Sequence, residues 1–448
     1  MLTYSSENII ALATPPGIGA LAIVRLSGID LDSTYRSFTQ KDPVDRKAVF
    51  SKIYHPTTNK LLDEAIIIYF KSPRSFTGED VIEITCHGGM LVPRTIIAAA
   101  IDSGIRNASP GEFSFRAFVN GKIDLLQAEA ISTLISSKSQ LSIDVSLEHL
   151  MGRVSTIIYE IKEKAINILS IIENELDFSD NEITFLPYNS IRSQIYNIKI
   201  KLETILKETA FGRSALSGIR VVILGKPNTG KSSLFNSIIG FDRAIVSDTP
   251  GTTRDTVEYY FELDGVAICL VDTAGIWESK EFLDQLAVEK TMSALEDADV
   301  CFLVDDKDPT VLLKSNLLCQ IEKGFVLIKS KSDLNGSLLK NGGSIFSIST
   351  KSGRGIDKLL TYLSTYISEN VNSPDVLNNM LITLRQRNLI EGSLASIDDL
   401  IEQIDAGVES DVLASGLRGF VIILKDVFGE IPNEDILNNI FSNFCVGK

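Results

Sequence analysis

Short apolar runs separated by turn residues dominate the first part of the chain. Ile9 to Ala13, Ala20 to Gly28, Ala65 to Phe70 and Val81 to Cys86 have the length and β-branched content of strands. Leu91 to Ser103 has helical spacing. Strands and helices mixed in this way predict an α+β domain over residues 1–118. The period then changes. Leu125 to Ile135, Ile143 to Leu176 and Ile191 to Phe211 place apolar residues on one helical stripe, with a break near Phe185-Leu186-Pro187. Residues 119–216 therefore read as all-helical.

The period changes again at Gly218. Ile219 to Leu224, Val266 to Val271, Cys301 to Val304, Phe325 to Ile328 and Ile345 to Ile348 are buried-strand patterns. Helical stretches alternate with them, which predicts a doubly wound sheet over 217–370. Helical spacing returns in Leu381 to Ile404 and Val412 to Phe428. The fold class read from this order is multidomain α/β. An N-terminal α+β domain is followed by a discontinuous helical domain, whose second part is 371–448. A Ras-like P-loop domain is inserted between its halves.

The inserted domain carries the clearest chemistry. Gly225-Lys226-Pro227-Asn228-Thr229-Gly230-Lys231-Ser232-Ser233 fits G-x-x-x-x-G-K-[ST] between a strand and a helix. In that context backbone N–H groups and a helix N-terminus cradle phosphates. Lys231 reaches the β- and γ-phosphates and Ser232 ligates Mg²⁺. Asp248-Thr249-Pro250-Gly251-Thr252-Thr253 forms a polar loop, and one of its threonines completes the Mg²⁺ shell. Asp272-Thr273-Ala274-Gly275 ends a strand and supplies a carboxylate for the Mg²⁺ shell and a glycine N–H for the γ-phosphate. Ser330-Lys331-Ser332-Asp333 follows another strand. Asp333 suits the guanine N1–H and amine, and Ser349-Thr350-Lys351 suits the edge of the base.

Composition narrows the class. The chain has 448 residues, 44% hydrophobic and 23% charged, which is globular. A net charge of -15 argues against electrostatic coating of nucleic acid. Five scattered cysteines without CxxC spacing fit a reducing cytoplasm rather than a zinc site or disulfide framework. No signal peptide or transmembrane run is visible, so a cytoplasmic protein with no membrane partner is expected. The ending Cys445-Val446-Gly447-Lys448 is not a prenylation box, because lysine stands last. Taken singly, Arg25, Glu83 and Lys122 read as solvated charges and His87 as a hydrogen-bonded residue of a tight glycine turn.

These residues together resemble the MnmE (TrmE) family of tRNA-modifying GTPases over nearly the full length. The resemblance rests on Ala13-Thr14-Pro15-Pro16-Gly17, Arg25-Leu26-Ser27-Gly28, Ser75-Phe76-Thr77-Gly78-Glu79-Asp80, His87-Gly88-Gly89, Pro110-Gly111-Glu112-Phe113 with Arg116-Ala117-Phe118, and Leu126-Gln127-Ala128-Glu129-Ala130. The GTPase set and the terminal C-x-G-K complete it. The family implies an N-terminal domain that binds 5-formyl- or methylene-tetrahydrofolate and forms a homodimer. Arg25, Glu83, Lys122 and Lys448 match its folate contacts. It implies potassium activation, with Asn228, Ser247, Thr249 and Thr252 matching the ion's surroundings, and Mg²⁺ held by Ser232 and Thr253. It implies a catalytic set of Lys231, Thr253 and a water-orienting acid matched by Asp284, with Glu281 as the alternative. It also implies an FAD-dependent MnmG (GidA)-like partner and a tRNA wobble uridine as the modified base. Cys445 is a candidate thiol.

Two residues depart from the family pattern. Ser330 stands where the base motif has Asn, which predicts loss of an amide tying the base loop to the P-loop. Asp284 stands where the family has Glu, one methylene longer. The rival readings are a ribosome-assembly GTPase, a folate-dependent methyltransferase with regulatory nucleotide binding, and an adenine-specific ATPase. The first needs a basic RNA-binding appendage, and Asp333 argues against the last.

Overall fold

A computed structural model describes residues 7–177, 188–241, 257–272, 295, 298–313, 325–334, 345–370, 381–430, 434–442, 444 and 446–447. The chain forms two compact units. Unit 1 comprises Met1–Ser132, His149–Tyr196 and Asn388–Lys448, and unit 2 comprises Thr133–Glu148 and Asn197–Arg387.

Unit 1 contains a six-stranded sheet in the order β3-β4-β5-β2-β1-β6. Its strands are β1 (Ile9–Leu12), β2 (Leu21–Gly28), β3 (Val49–Tyr54), β4 (Leu61–Phe70), β5 (Asp80–His87) and β6 (Arg106–Asn107). The pairing is antiparallel except for β1 with β6. Helices α1 (Asp32–Thr39) and α2 (Val92–Asp102) bury Tyr35, Phe38, Ile96 and Ala99 in one core with Val24, Leu26, Ile67, Ile82 and Ile84 of the sheet. Strand β3, with the alternating sequence Val-Phe-Ser-Lys-Ile-Tyr, and β6 add to the strands expected from the apolar runs. Asp63 accepts the backbone N–H of His87, the last residue of β5, and contacts its ring at 2.7 Å, so His87 is hydrogen-bonded at the strand end rather than in the turn itself.

Several family motifs converge on one buried network. Arg116, on α3 (Glu112–Val119), is 1% exposed. Its guanidinium donates to Glu79 at 2.9 Å, to Glu112 at 3.0 Å and to the Glu7 carbonyl at 2.8 Å. Arg106 adds a paired contact to Glu112, and Ser27 donates to Glu79. The motif residues Ser27, Glu79, Glu112 and Arg116 are thus an interior scaffold.

The helical part of unit 1 follows from its apolar stripes. Helix α6 (Arg153–Asp177) packs along a helix formed by Ser410–Phe428. The latter buries Leu413, Leu417, Phe420, Val421, Leu424 and Val427, the i, i+3, i+4, i+7 face of a helix. It ends at Gly429 (φ +74), whose N–H reaches Asp426 while Glu430 N–H reaches Lys425. This pair of hydrogen bonds is the Schellman termination that satisfies two of the last carbonyls. A Cβ on Gly429 would also come within 2.9 Å of the Phe118 ring. Lys162 of α6 pairs with Glu430 at 2.5 Å and lies over the rings of Tyr159 and Phe428.

Unit 2 holds a second six-stranded sheet, β12-β11-β10-β7-β9-β8. The strands are β7 (Ile219–Leu224), β8 (Val257–Leu263), β9 (Val266–Asp272), β10 (Val300–Asp305), β11 (Phe325–Lys329) and β12 (Ile345–Ser347). All neighbours are parallel except β8 with β9. Ile219, Val221 and Ile223 of β7 face a cluster with Leu234 and Ile238 of α8 (Lys231–Phe241). Val222 and Leu224 face the opposite cluster with Leu303 and Val271. Burial on both faces is what a central parallel strand requires. The doubly wound sheet and the helices that interrupt and resume around it are as the sequence pattern predicts.

Candidate functional site

Chain order moves from β7 to β9 on one side and then to β10 on the other, so the carboxyl end of β7 is a switch point of the sheet. Ligands of open α/β sheets bind at such points. The loop that leaves β7 is shaped by steric demand. A Cβ at Gly225 would sit 2.1 Å from the Val304 carbonyl oxygen. Asn228 and Gly230 take φ +62 and +96, the left-handed region that Asn and Gly tolerate best. The loop then enters α8 at Lys231, and a helix N-terminus favours phosphate.

Four side chains finish the cradle. Thr229 donates its hydroxyl to the Lys226 carbonyl at 2.8 Å. Lys231 folds back, and its ammonium donates to the same carbonyl at 2.8 Å with the residue 4% exposed. Ser232 is exposed and donates to Asp272 Oδ2 at 3.1 Å. Asp272 ends β9 and pairs in register with Ile223 of β7. The hydroxyl expected to ligate Mg²⁺ and the carboxylate expected to support its shell therefore lie within hydrogen-bond reach of each other. Such a site takes its remaining ligands from phosphate, water and a second hydroxyl, so this donor set fits Mg²⁺ bound with nucleotide. No cluster of three or more His, Cys, Asp or Glu side chains suited to a metal occurs among the described residues.

The base-recognition loop follows β11 and is tied to the cradle at two points. Ser330 is 1% exposed, and its hydroxyl donates to the Thr229 carbonyl. Lys331 donates to the Asn228 carbonyl at 2.6 Å and pairs with Asp306 at 3.2 Å. The expected loss of the tether at Ser330 is corrected by this geometry. The hydroxyl itself reaches the Thr229 carbonyl, so a tie to the P-loop remains although the amide is absent. Asp333 is exposed and accepts the Ser349 hydroxyl at 2.9 Å. Ser332 N–H bonds to the Ile348 carbonyl at 3.0 Å. Thr350 and Lys351 continue the same turn, so Ser332-Asp333 and Thr350-Lys351 lie side by side, with Ser330 and Ser349 buried. Ser233 is exposed in the first turn of α8.

The described residues stop short of several predicted positions. Ser247, Asp248, Thr249, Pro250, Gly251, Thr252, Thr253, Thr273, Ala274, Gly275, Glu281, Asp284, Cys445 and Lys448 lie outside them.

Unit 1 carries the other set of predicted residues. Strand register places Arg25 of β2 opposite Glu83 of β5 and Ile68 of β4. Opposed residues of an antiparallel pair share a face. Arg25 Nε and Nη2 contact Glu83 Oε1 at 2.9 and 2.8 Å. Arg25 Nη1 donates to the Gly447 carbonyl at 3.2 Å, across 422 positions of sequence. Gly447 (φ +95) lets the tail lie this close, since a Cβ there would be 2.4 Å from the Leu12 carbonyl. The rings of Phe76 and Phe113 flank the guanidinium at 5.9 and 5.8 Å. These two aromatics were not singled out from the sequence, although both sit inside family motifs. Lys122 meets the same loop as Phe76, its Cε 3.3 Å from where a Gly78 Cβ would stand. A cavity of about 710 Å³ opens beside Lys122, with Tyr159, Phe428, Asp124 and Glu430 in its walls. Burial raises the Asp124 carboxyl above the ordinary aspartate range against its hydrogen bonds to Ser155 and backbone N–H groups.

Comparison with known proteins agrees with this architecture. The family described as "GTP-binding protein TrmE N-terminus" matches residues 8–122, and "MnmE helical domain" matches residues 125–445. The tRNA modification GTPase MnmE of Acetivibrio thermocellus is 36% identical over 465 residues, covering 99% of this chain and 100% of that protein. The MnmE proteins of Koribacter versatilis and Thermotoga petrophila are 34% and 37% identical, each covering 99% of this chain and 99% and 100% of their own lengths. With a P-loop cradle, a paired Ser232 and Asp272, and a base loop ending in Asp333, this chain belongs to the MnmE family of tRNA modification GTPases.

Proposed function

We propose that this GTPase is potassium-stimulated and works with a folate one-carbon unit and a flavin-dependent MnmG (GidA)-like partner. Together they add a carboxymethylaminomethyl-type group to C5 of the wobble uridine. The observation that carries the reading is the Arg25–Glu83–Gly447 contact, which gathers three distant segments and leaves Lys448 next in sequence. A carboxylate suits the N–H donors of a pterin edge, and Arg and Lys suit the carboxylate tail of a folate. Lys122 and the cavity beside it give such a ligand a second charged contact and room for its extended part.

The sheet face that bears Arg25 and Glu83 supports a homodimer. Its register rows also carry Phe50, Ile66 and Leu21, which are 65%, 43% and 65% exposed. Apolar side chains grouped on one face mark association surfaces more often than solvated ones. Residues 1–118 would form the folate-binding and dimerising domain, 119–216 with 371–448 the helical domain, and 217–370 the GTP-binding domain. The protein would act in the cytoplasm. No described helix is long and apolar enough to cross a membrane.

In the GTPase step Lys231 and the loop N–H groups would bind phosphates, and Ser232 and Thr253 would hold Mg²⁺. Asn228, Ser247, Thr249 and Thr252 would hold K⁺, whose charge offsets that building toward the β–γ bridge. Asp284 would orient the attacking water. The test is GTP turnover by the full chain in KCl and in NaCl at equal ionic strength. Strong stimulation by K⁺ that is lost in Asn228→Ala is expected. Equal slow rates in both salts would overturn the potassium reading. Asp333→Asn is expected to shift preference toward xanthine nucleotides.

A further inference from the structure

Residues Thr133–Glu148 belong to unit 2 although the chain on both sides of them belongs to unit 1. Helix α5 (Gln140–Leu150) begins within this excursion. The first N–H groups of a helix have no partner within it. Here the Gln140 N–H donates to Glu262 at 3.1 Å and the Leu141 N–H to the Gly265 carbonyl at 3.0 Å. Ser139, 3% exposed, takes the Ser142 N–H at 3.2 Å in the usual N-cap manner. Two of the three acceptors thus come from the β8–β9 hairpin. Its turn is Asp264-Gly265, with φ +50 and +81, the two-residue form that keeps a hairpin tight. Lys138 sits over the Tyr260 ring at 3.2 Å from its centroid, and Leu141 packs against the core of the sheet.

The position of this hairpin in the chain matters. Strand β8 follows the loop of Asp248 to Thr253, and β9 ends at Asp272, which meets Ser232. The hairpin is the single covalent link between the two segments that sense γ-phosphate and Mg²⁺ in a switch GTPase. A shift of either strand displaces Glu262 and Gly265, and the helix then loses two of its three N-terminal acceptors, keeping only Ser139. A carboxylate at a helix N-terminus also gains from the helix dipole, so the contact is stronger than a neutral hydrogen bond.

We propose that the Thr133–Glu148 excursion reads the nucleotide state. The β8–β9 hairpin caps or releases α5, and the change passes through Ser132 and His149 into the chain of unit 1. Lys138 and Glu262 act as positioning residues, apart from the phosphate cradle.

The test is amide hydrogen exchange on the full-length protein, nucleotide-free, with GDP and with a non-hydrolysable GTP analogue and Mg²⁺. Exchange over residues 140–148 is expected to differ at least tenfold between the GDP and GTP-analogue states. In Lys138→Met with Glu262→Ala the difference is expected to fall at least fivefold, while GTP turnover stays within about twofold. Lys138→Arg, which keeps a cation on the ring, is expected to retain the difference. Equal exchange in all three states overturns the proposal without need of a variant. A nucleotide-dependent difference that survives the double variant overturns it too. So does a loss of turnover beyond tenfold, because the residues would then serve the hydrolytic centre itself.

Discussion

The two candidate sites are built on opposite principles. The nucleotide cradle of unit 2 is made mostly of backbone, shaped by Gly225, Asn228 and Gly230 within one short loop. The Arg25–Glu83 site of unit 1 is made of side chains, brought together by strand register and by a tail 422 positions away. A backbone site is fixed by what cannot be present, since a Cβ would collide or a φ would be strained. A side-chain site is fixed by everything that holds its strands and tail in place. The first kind tolerates change around it, and the second transmits distant damage.

The contrast breaks if damage to the scaffold of unit 1 also disables nucleotide binding. Arg116→Ala takes the guanidinium from the buried Glu79 and Glu112 carboxylates, leaving Glu79 its Ser27 contact and Glu112 its Arg106 pair. It is expected to destabilise unit 1 by about 3–5 kcal/mol, while GTP affinity holds. Calorimetric unfolding with and without GTP reads both. A next smaller effect belongs to the cradle itself. Lys231→Ala is expected to lower GTP turnover by roughly 10²–10³-fold, as for loss of one charge-stabilising donor, and to leave the proposed folate binding intact.

Arg25→Ala should do the reverse. Loss of a charge-assisted contact costs about 1.5–3 kcal/mol, or roughly 10- to 100-fold in affinity for 5-formyltetrahydrofolate by titration calorimetry, at unchanged GTP turnover. Ser330→Ala removes one of the two ties to the P-loop and is expected to weaken GTP binding by about 1 kcal/mol, roughly fivefold. An unchanged affinity would show that Lys331 holds the loop alone.

The gentlest probe is acid. Burial pushes the Glu112 carboxyl up, but Arg106, the Ser109 N–H and Arg116 outweigh it and hold it below the ordinary 4.5. Asp80 is also buried, yet the Ser72 N–H, Tyr69 and Lys71 keep it below 3.8. A depressed folded value means stability that is full above the unfolded value and lost as pH falls through the folded one. The melting temperature of unit 1 is therefore expected to fall below about pH 4.5, and Glu112→Gln should flatten that slope.

The same contrast decides what the sequence shows to a reader. The P-loop is legible because its residues are contiguous and each glycine has a local reason. The doubly wound order is legible because central strands are apolar on both faces. Strands β3 and β8 are harder to see, since Val-Phe-Ser-Lys-Ile-Tyr and Val-Glu-Tyr-Tyr-Phe-Glu-Leu mix polar and apolar positions at the sheet edges. Arg25 and Glu83 are 58 positions apart, and no local pattern pairs them. Only the resemblance to a family pointed to them, and register then explained the contact. Ser330 teaches a further lesson. A substitution judged by the group it removes looked like a lost tether, but the serine hydroxyl is placed to make a tie of its own to the Thr229 carbonyl.

The tail contact also sets an order in biosynthesis. Arg25 leaves the ribosome early, and the chain through Gly447 must follow before its guanidinium meets that carbonyl. The P-loop, the β7–β12 sheet and the whole nucleotide cradle precede Gly447 in the chain. A nascent or prematurely terminated chain would thus hold a nucleotide-binding module while its Arg25 site stayed unfinished.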